Sequence, residues 1–232
     1  MNDLTSILKN NFKNIEKLPA EEQKQILALV EELEEAKTRE EARKSFLPFV
    51  KLMWPSFIHG RHHEIMAEAF ERVAHGELKR LIINMPPRHT KSEFASYLFP
   101  AWFLGMYPEK KVIQTAHTAE LSVGFGRKVR NLIQNEDFQN VFPGIELSTD
   151  SKAAGRWNTN KRGDYFAIGV GGAVTGKGAD ILIIDDPHSE QEATMGEYNP
   201  EVYNKVYEWY TSGPRQRLQP GGAIILVMTR WS

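Results

Sequence analysis

The stretch Leu81-Ile82-Ile83-Asn84-Met85-Pro86-Pro87-Arg88-His89-Thr90-Lys91-Ser92 decides the fold, because a short apolar run passes at once into a polar loop that ends in Lys-Ser. The apolar run is typical of a buried strand, and Phe94, Tyr97 and Leu98 continue at helical spacing. At such a strand-to-helix junction a lysine supplies charge to a nucleotide's outer phosphates, and a serine hydroxyl binds magnesium. The pattern predicts a phosphate-binding loop formed by Pro87, Arg88, His89, Thr90, Lys91 and Ser92.

This loop departs from the usual G-x-x-x-x-G-K-[ST] pattern, because Met85 and Thr90 stand where that pattern has glycine. Glycine adopts backbone conformations with positive φ that other residues rarely adopt. We therefore expect the Cβ of Thr90 to occupy a turn that normally has none, with Pro86 and Pro87 as residues that could shape the loop differently.

A second motif, Ile181-Leu182-Ile183-Ile184-Asp185-Asp186, has the unbroken apolar run of a central strand covered on both faces. Its acids follow at the carboxyl end, where open parallel sheets bind ligands. Magnesium phosphate chemistry needs one carboxylate near the metal and another to polarise the attacking water. We assign Asp185 to magnesium and Asp186 to the catalytic water; the alternative is that Asp-Asp-Pro only ends the strand and caps a helix.

A third stretch, Gly171 to Gly178, matches the glycines and lysine of the usual loop better than the first site does. It lacks the magnesium-binding hydroxyl, since Gly178 takes that place, and a strand follows instead of a helix. We interpret it as a flexible loop that approaches the site, with Lys177 as a basic finger on its own nucleotide or on a neighbour's.

Length and composition suit one large α/β domain with a short appendage: the chain has 232 residues, a formal net charge of −1 and no cysteine. The absence of cysteine excludes disulfides and thiolate metal sites, and fits a reducing compartment. The near-neutral charge argues against nucleic-acid binding by the whole surface but permits a local basic patch. We see no bilayer-spanning run and no secretory leader, so we expect no membrane partner.

Along the chain, residues 1–45 read as an N-terminal helical arm, with a helix start at Pro19-Ala20. Residues 46–232 then alternate between helices and strands, with strands expected at Leu81–Met85, Val112–Ala116, Ile181–Asp185 and Ala223–Met228 and a hairpin strand at Tyr165–Ile168. Such alternation predicts a parallel, doubly wound sheet. The sequence stops directly after a predicted buried strand, and we expect a further domain beyond it.

Taken together these residues resemble the ATPase domain of the large terminase subunits of tailed bacteriophages, the motors that package viral DNA. The resemblance covers roughly residues 46–232. It is carried by Trp54-Pro55-x-Phe57, Gly60-Arg61-His62-His63, the segment from Leu81 to Glu93, Phe142-Pro143-Gly144, Thr175 to Asp180, Asp185-Asp186-Pro187 and Thr229-Arg230-Trp231. The order and spacing of these motifs are more specific than any of them alone.

The resemblance implies an α/β fold of the P-loop NTPase class, ASCE type, with a mainly parallel central sheet and helices on both faces. It implies Mg²⁺-dependent hydrolysis of ATP, with Lys91 and Ser92 on the phosphates and magnesium, Asp185 linked to the metal and Asp186 as the catalytic carboxylate that acts on water. Thr229 matches the threonine that couples hydrolysis to movement. His62 and His63 match the family's adenine-contacting segment, although a histidine pair in a helix is also common as surface or packing.

The residue that neutralises transition-state charge is left open between Arg88 in the loop itself and Lys177 acting from a neighbouring subunit, with Arg217 and Arg230 as lesser candidates. A lysine offers charge without the two-pronged geometry of a guanidinium. Basic side chains that could contact DNA phosphates cluster at Arg127, Lys128 and Arg130 and at Lys152, Arg156, Lys161 and Arg162. Both clusters are also typical of an ordinary solvated surface.

As partners the resemblance implies double-stranded viral DNA, a small terminase subunit, and a homo-oligomeric ring on the portal with five subunits as the expected number. The location would be the cytoplasm of the infected host bacterium. The family's nuclease domain has no counterpart in this sequence, so we expect no intrinsic nuclease activity. Two other functions remain open: a helicase-like nucleic-acid translocase without a packaging role, and a nucleotide-binding module without turnover.

Overall fold

The computed structural model describes residues 18–229, without the side chains of residues 150–152. The first part of the predicted N-terminal arm, residues 1–17, lies outside the described residues, and so do Arg230 and the side chain of Lys152. Across residues 18–229, no helix combines the length and the hydropathy needed to cross a bilayer.

A helix, α1, spans Ala20–Lys44 and starts where Pro19-Ala20 predicts it. The chain divides into two compact units between Glu41 and Ala42, close to the expected boundary at residues 45 and 46. The first unit contains most of α1, and the second contains the sheet and the candidate site.

The second unit alternates between helices and strands. The strands are β1 (Arg80–Asn84), β2 (Lys111–Ala116), β3 (Leu147–Ala153), β4 (Arg156–Thr159), β5 (Asp164–Gly169), β6 (Ala179–Asp185) and β7 (Leu218–Met228). The α-helices are α2 (Phe46–Met53), α3 (Arg61–Ala74), α4 (Phe99–Met106), α5 (Ala119–Ile133), α6 (Glu136–Val141), α7 (Glu190–Gly196) and α8 (Glu201–Ser212). A π-helical segment, Glu93–Leu98, precedes α4, and a 3₁₀ turn, Pro214–Arg217, precedes β7.

These strands form one seven-stranded sheet in the order β1-β7-β6-β2-β5-β4-β3. The pairs β1–β7, β7–β6, β6–β2 and β2–β5 are parallel, whereas the pairs β5–β4 and β4–β3 are antiparallel. The sheet is therefore mixed, which corrects the expectation of a parallel, doubly wound sheet. The reason is connection length: β3, β4 and β5 are joined by short turns, and only antiparallel neighbours can be joined in that way.

Both faces of the sheet are buried, as the apolar run in β6 predicts. Ile181 and Ile183 belong to the larger core with α2 to α5, whereas Leu182 and Ile184 belong to a smaller core that Tyr210 of α8 also contacts. Because successive strand residues point to opposite faces, this division places helices on both sides of the sheet. The carboxyl ends of β1, β7, β6 and β2 meet at one edge, and the site lies there.

Phe46, at the start of α2, lies at the centre of the larger core and is 0% exposed. Its ring lies 5.4–5.9 Å, centroid to centroid, from the rings of Phe70, Phe94, Phe99 and Trp102. Phe94 belongs to the helical stretch that follows the polar loop, so this aromatic cluster fixes that stretch against the sheet.

Phe46→Ala is expected to lower the free energy of unfolding by about 3–5 kcal/mol, because it removes a buried ring and leaves a cavity. Urea denaturation followed by circular dichroism measures the change. The control is Ile58→Ala, at a side chain that is 87% exposed, which should change stability by less than about 0.5 kcal/mol. Equal losses in the two variants would contradict this description of the core.

Candidate functional site

The polar loop between β1 and the following helix has an unusual backbone. Residues 85–90 lie outside regular structure, and the helix starts at Lys91. Arg88 and Thr90 both have positive φ, 62° and 63°. Thr90 thus adopts the conformation that the usual pattern assigns to glycine, at a cost of about 1–2 kcal/mol for a residue with a Cβ. The expected strain at this position is present in the structure.

His63, on the first turn of α3, contacts Thr90 directly. The N–H of Gly60 donates to His63 Nδ1 at 2.9 Å, so the proton lies on Nε2, which donates to Thr90 Oγ1 at 2.7 Å. Thr90 Oγ1 in turn donates to the carbonyl of His89 at 2.6 Å. Burial, together with the neighbouring His62 and His59, lowers the pKa of His63 to about 4. The imidazole is therefore neutral near pH 7, as this hydrogen-bond pattern requires.

The predicted adenine contact by His63 is not supported by this geometry. His63 is 3% exposed, both of its ring nitrogens have partners, and its ring centroid lies 4.6 Å from that of Phe57 and 5.2 Å from that of Phe94. His62 is partly exposed, with its ring 6.2 Å from that of His89. A contact between His62 and a base stays a prediction.

Asp185, at the end of β6, connects the two sequence motifs. Its side chain accepts hydrogen bonds from Ser92 Oγ at 2.9 Å and from Ser96 Oγ at 2.6 Å, one on each carboxylate oxygen. Ser96 also accepts a bond from Gln114 Nε2 at 3.0 Å. Asp185 is 3% exposed, and burial raises the pKa of its carboxyl to about 6, against the opposing effect of the two serine hydroxyls and Lys91. The two motifs thus meet across 93 residues of sequence.

Sequence reasoning missed Ser96 and Gln114. Ser96 lies four residues after Ser92, and residues at this spacing share a helix face, so their spacing was an available signal. Gln114 is a fully buried amide in the middle of β2, in a run that is otherwise typical of a covered strand. A polar side chain in such a strand needs a hydrogen-bond partner, but the sequence does not say which.

Asp186 binds both Lys91 and Thr229. The distance from Lys91 Nζ to Asp186 Oδ2 is 2.7 Å, and the Lys91 side chain is 8% exposed. The Thr229 N–H donates to Asp186 Oδ1 at 2.6 Å, and Thr229 Oγ1 donates to Oδ2 at 3.3 Å. Asp186 has a φ of 41°, so the chain turns directly after β6 and both acids reach the same edge of the sheet. The structure therefore brings Lys91, Ser92, Asp185, Asp186 and Thr229 together.

Lys177 is not part of this cluster. Its ammonium lies 2.6 Å from Asp164 Oδ2 and 5.5 Å from the centroid of the Phe166 ring. It precedes β6, whereas Asp185 ends that strand; a strand of this length separates its ends by about 20 Å. The expectation that this loop brings Lys177 to its own chain's site is therefore wrong. Arg217, in the turn before β7, lies at that same amino-terminal edge of the sheet.

The other predicted residues lie in the loop, on α5, or, for Arg156, Lys161 and Arg162 of the second basic cluster, in β4 and the turn that follows it. Arg88, Pro87 and His89 are exposed, and His89 Nδ1 lies 2.9 Å from the carbonyl oxygen of Pro87. In the first basic cluster, Lys128 pairs with Glu93 at 3.0 Å and lies over the Tyr97 ring. The charge that this cluster presents to solvent is therefore smaller than the sequence suggests.

The chain is similar to a solved structure described as the large terminase of bacteriophage HK97. The two share 10% sequence identity with a TM-score of 0.49, and the match covers 83% of this chain and 37% of that one. No family model matches the sequence, and no curated protein is significantly similar to it. A likeness this distant says nothing about activity, substrate or partners.

Asp185→Asn is expected to raise the melting temperature at pH 8 by several degrees, in the absence of magnesium. The folded carboxyl has a pKa of about 6, above its usual 3.8. Its ionisation therefore costs stability as the pH rises through 6, by about 1–3 kcal/mol, and asparagine carries no charge.

The gain in melting temperature should shrink as the pH falls from 6 towards 4, because the Asp185 carboxyl then becomes protonated in the unfolded state as well as in the folded state. Melting curves by circular dichroism between pH 4 and pH 8 test this dependence. Asp137→Asn, on the exposed start of α6, is the matched control and should show no such change. A gain of equal size at both pH values would exclude the electrostatic cause.

Proposed function

We propose that this protein is a Mg²⁺-dependent ATPase whose nucleotide binds between the polar loop and the end of β6. One observation carries the proposal: the contacts of Ser92 with Asp185 and of Lys91 with Asp186. They join a lysine and a serine at a helix start to an acid pair at the carboxyl end of a central strand. Phosphoryl transfer depends on this combination of positioning and charge. In class terms, the protein would be a P-loop NTPase of the ASCE type.

The phosphates would bind at the start of the helix that follows Thr90. Backbone N–H groups and the positive end of the helix dipole favour anions there. Lys91 is buried and paired with Asp186, so binding of the outer phosphates requires Lys91 to exchange a carboxylate oxygen for phosphate oxygens. That exchange would release Asp186 when ATP is present.

The oxygens of Ser92 and Asp185 fit a magnesium ion, because Mg²⁺ prefers hard oxygen ligands and commonly uses few protein groups beside phosphate and water. The Ser92 hydroxyl would bind it directly and Asp185 through water, and the bound ion would neutralise phosphate charge. Residues 18–229 contain no cluster of three or more acidic, histidine or cysteine side chains suited to a metal. This is consistent with a cation that phosphate helps to hold.

Asp186, once released from Lys91, would orient and polarise water for in-line attack on the γ-phosphate. Thr229 would keep the carboxylate in place through its two hydrogen bonds. Because Thr229 directly follows β7, a movement of Asp186 during hydrolysis would pass to that strand, which gives the proposed coupling role a physical basis. Arg88 is the loop's own candidate for neutralising charge in the transition state, and Lys177 could act only from a neighbouring subunit.

As the biological role we propose the motor of a phage large terminase, which moves double-stranded DNA into a procapsid. The sequence motifs that resemble this family support the proposal, together with their meeting at one site. The proposed partners are viral DNA, the small terminase subunit and a ring of identical subunits on the portal, in the host cytoplasm. ATP-dependent unwinding of short duplexes would instead favour a helicase-like translocase.

Lys91→Ala is expected to weaken binding of a slowly hydrolysed ATP analogue with Mg²⁺ by at least about 100-fold, since a buried charge-assisted contact to phosphate is lost. Isothermal titration calorimetry measures the affinity. Lys205→Ala, at an exposed lysine of α8, should bind like the wild type. If Lys91→Ala binds as tightly as Lys205→Ala, the nucleotide site lies elsewhere.

Asp186→Asn is expected to bind the same analogue at least as tightly as the wild type, because Lys91 loses its competing carboxylate. Its ATP turnover should fall by about 10²–10⁴-fold, the usual contribution of a general base. Phosphate release at high protein concentration is the appropriate assay, because a site completed by a neighbour would be slow in dilute solution. Unchanged turnover would assign the water-activating role to another residue.

A further inference from the structure

Thr90 has a positive φ, a backbone conformation that glycine adopts readily and a residue with a Cβ rarely adopts. A β-branched residue with a φ of 63° is an outlier, and this one directly precedes Lys91 and Ser92. Strained residues of this kind persist only where the surrounding structure holds them. The orientation of Lys91 and Ser92 therefore depends on whatever holds Thr90.

We propose that His63 is a positioning residue that holds Thr90 in its left-handed conformation and so preorganises the phosphate-binding loop. The inference rests on the proposed function, since it assigns His63 a role in nucleotide affinity through Thr90. His63 is not a catalytic residue and does not contact the nucleotide base. The hydrogen bond from His63 stabilises a backbone conformation that a glycine at position 90 would adopt without such support.

The geometry of His63 suits this role. Its ring is held by the hydrogen bond from the Gly60 N–H and by contacts with the rings of Phe57, Phe94 and His62. The remaining nitrogen therefore points a fixed N–H at Thr90 Oγ1, at 2.7 Å. Phe94 belongs to the same helical stretch as Lys91, so one imidazole links α3 both to the strained residue and to the helix that follows it.

The Thr90 hydroxyl is used twice, as acceptor from His63 Nε2 and as donor to the His89 carbonyl. A hydroxyl can serve both bonds at once, and the chain from Gly60 through His63 and Thr90 to His89 is then complete. A side chain without a hydroxyl at position 90 would break the chain on both sides. A glycine at this position would need neither bond, because it adopts positive φ without strain.

This dependence is testable by a double-mutant cycle on nucleotide affinity. His63→Ala is expected to weaken binding of the ATP analogue with Mg²⁺ roughly fivefold to tenfold, the effect of one lost hydrogen bond. In the Thr90→Gly background the same His63→Ala change should weaken binding less than twofold. The non-additivity measures the coupling between the two residues and cancels general effects of each substitution.

Two further variants distinguish the hydrogen bond from His63 to Thr90 from a general packing effect of the His63 ring. His63→Gln can place an amide N–H near the former Nε2 and should recover most of the affinity, whereas His63→Asn reaches only the Nδ1 position and should not. His59→Ala is the matched control, because His59 pairs with Glu64 and its ring centroid lies 6.5 Å from that of His63, although it is not assigned to the site. It should bind like the wild type. Melting temperatures of all variants are measured alongside.

The outcomes are distinguishable. A wild type that binds no nucleotide overturns the proposed function, whatever the variants do. If the wild type binds nucleotide and His63→Ala weakens binding equally in the Thr90 and Thr90→Gly backgrounds, the positioning role of His63 is overturned. The proposed function then stays in place. A drop in melting temperature that accompanies every loss of affinity, with no difference between Gln and Asn at position 63, also overturns the positioning role.

Discussion

The hydrogen bonds from Ser92 and Ser96 to the buried Asp185 carboxylate are the constraint on which the rest of the site depends. They fasten the helical stretch after the polar loop to the end of β6. A carboxylate in this position is costly, and burial raises its pKa to about 6. Functional sites commonly retain such destabilising groups, because a charge that is poorly solvated by the protein is available to a cation.

The same arrangement places the second acid beside Lys91. Because the chain turns sharply at Asp186, directly after β6, the adjacent Asp185 and Asp186 reach the same edge of the sheet, and Thr229, directly after β7, binds the second carboxylate. Lys91 and Asp186 thus form an ion pair with each other in this structure. Any anion that binds Lys91 must therefore displace Asp186, which already compensates the charge of this buried lysine.

The motifs were predictable from sequence because each is local. An apolar run followed by Lys-Ser, or by Asp-Asp, predicts a strand end and shows which residue types lie there, and the two motifs meet in the structure. Lys177 shows where this reasoning stops. Its glycine-rich surroundings resemble a phosphate loop, but the loop ends at the amino-terminal edge of the sheet, where Lys177 pairs with Asp164. Sequence pattern gives no information on which edge a loop reaches.

The sequence by itself determined the alternation of helices and strands, the covered central strand and the residue types at the two motifs, because these follow from periodicity and turn chemistry over a few residues. The tertiary structure decided the mixed sheet, the contact between motifs 93 residues apart, and the use of His63 to hold Thr90 from 27 residues away. Such contacts depend on strand order and helix packing. Those are properties of the folded chain as a whole, and no local window of sequence contains them.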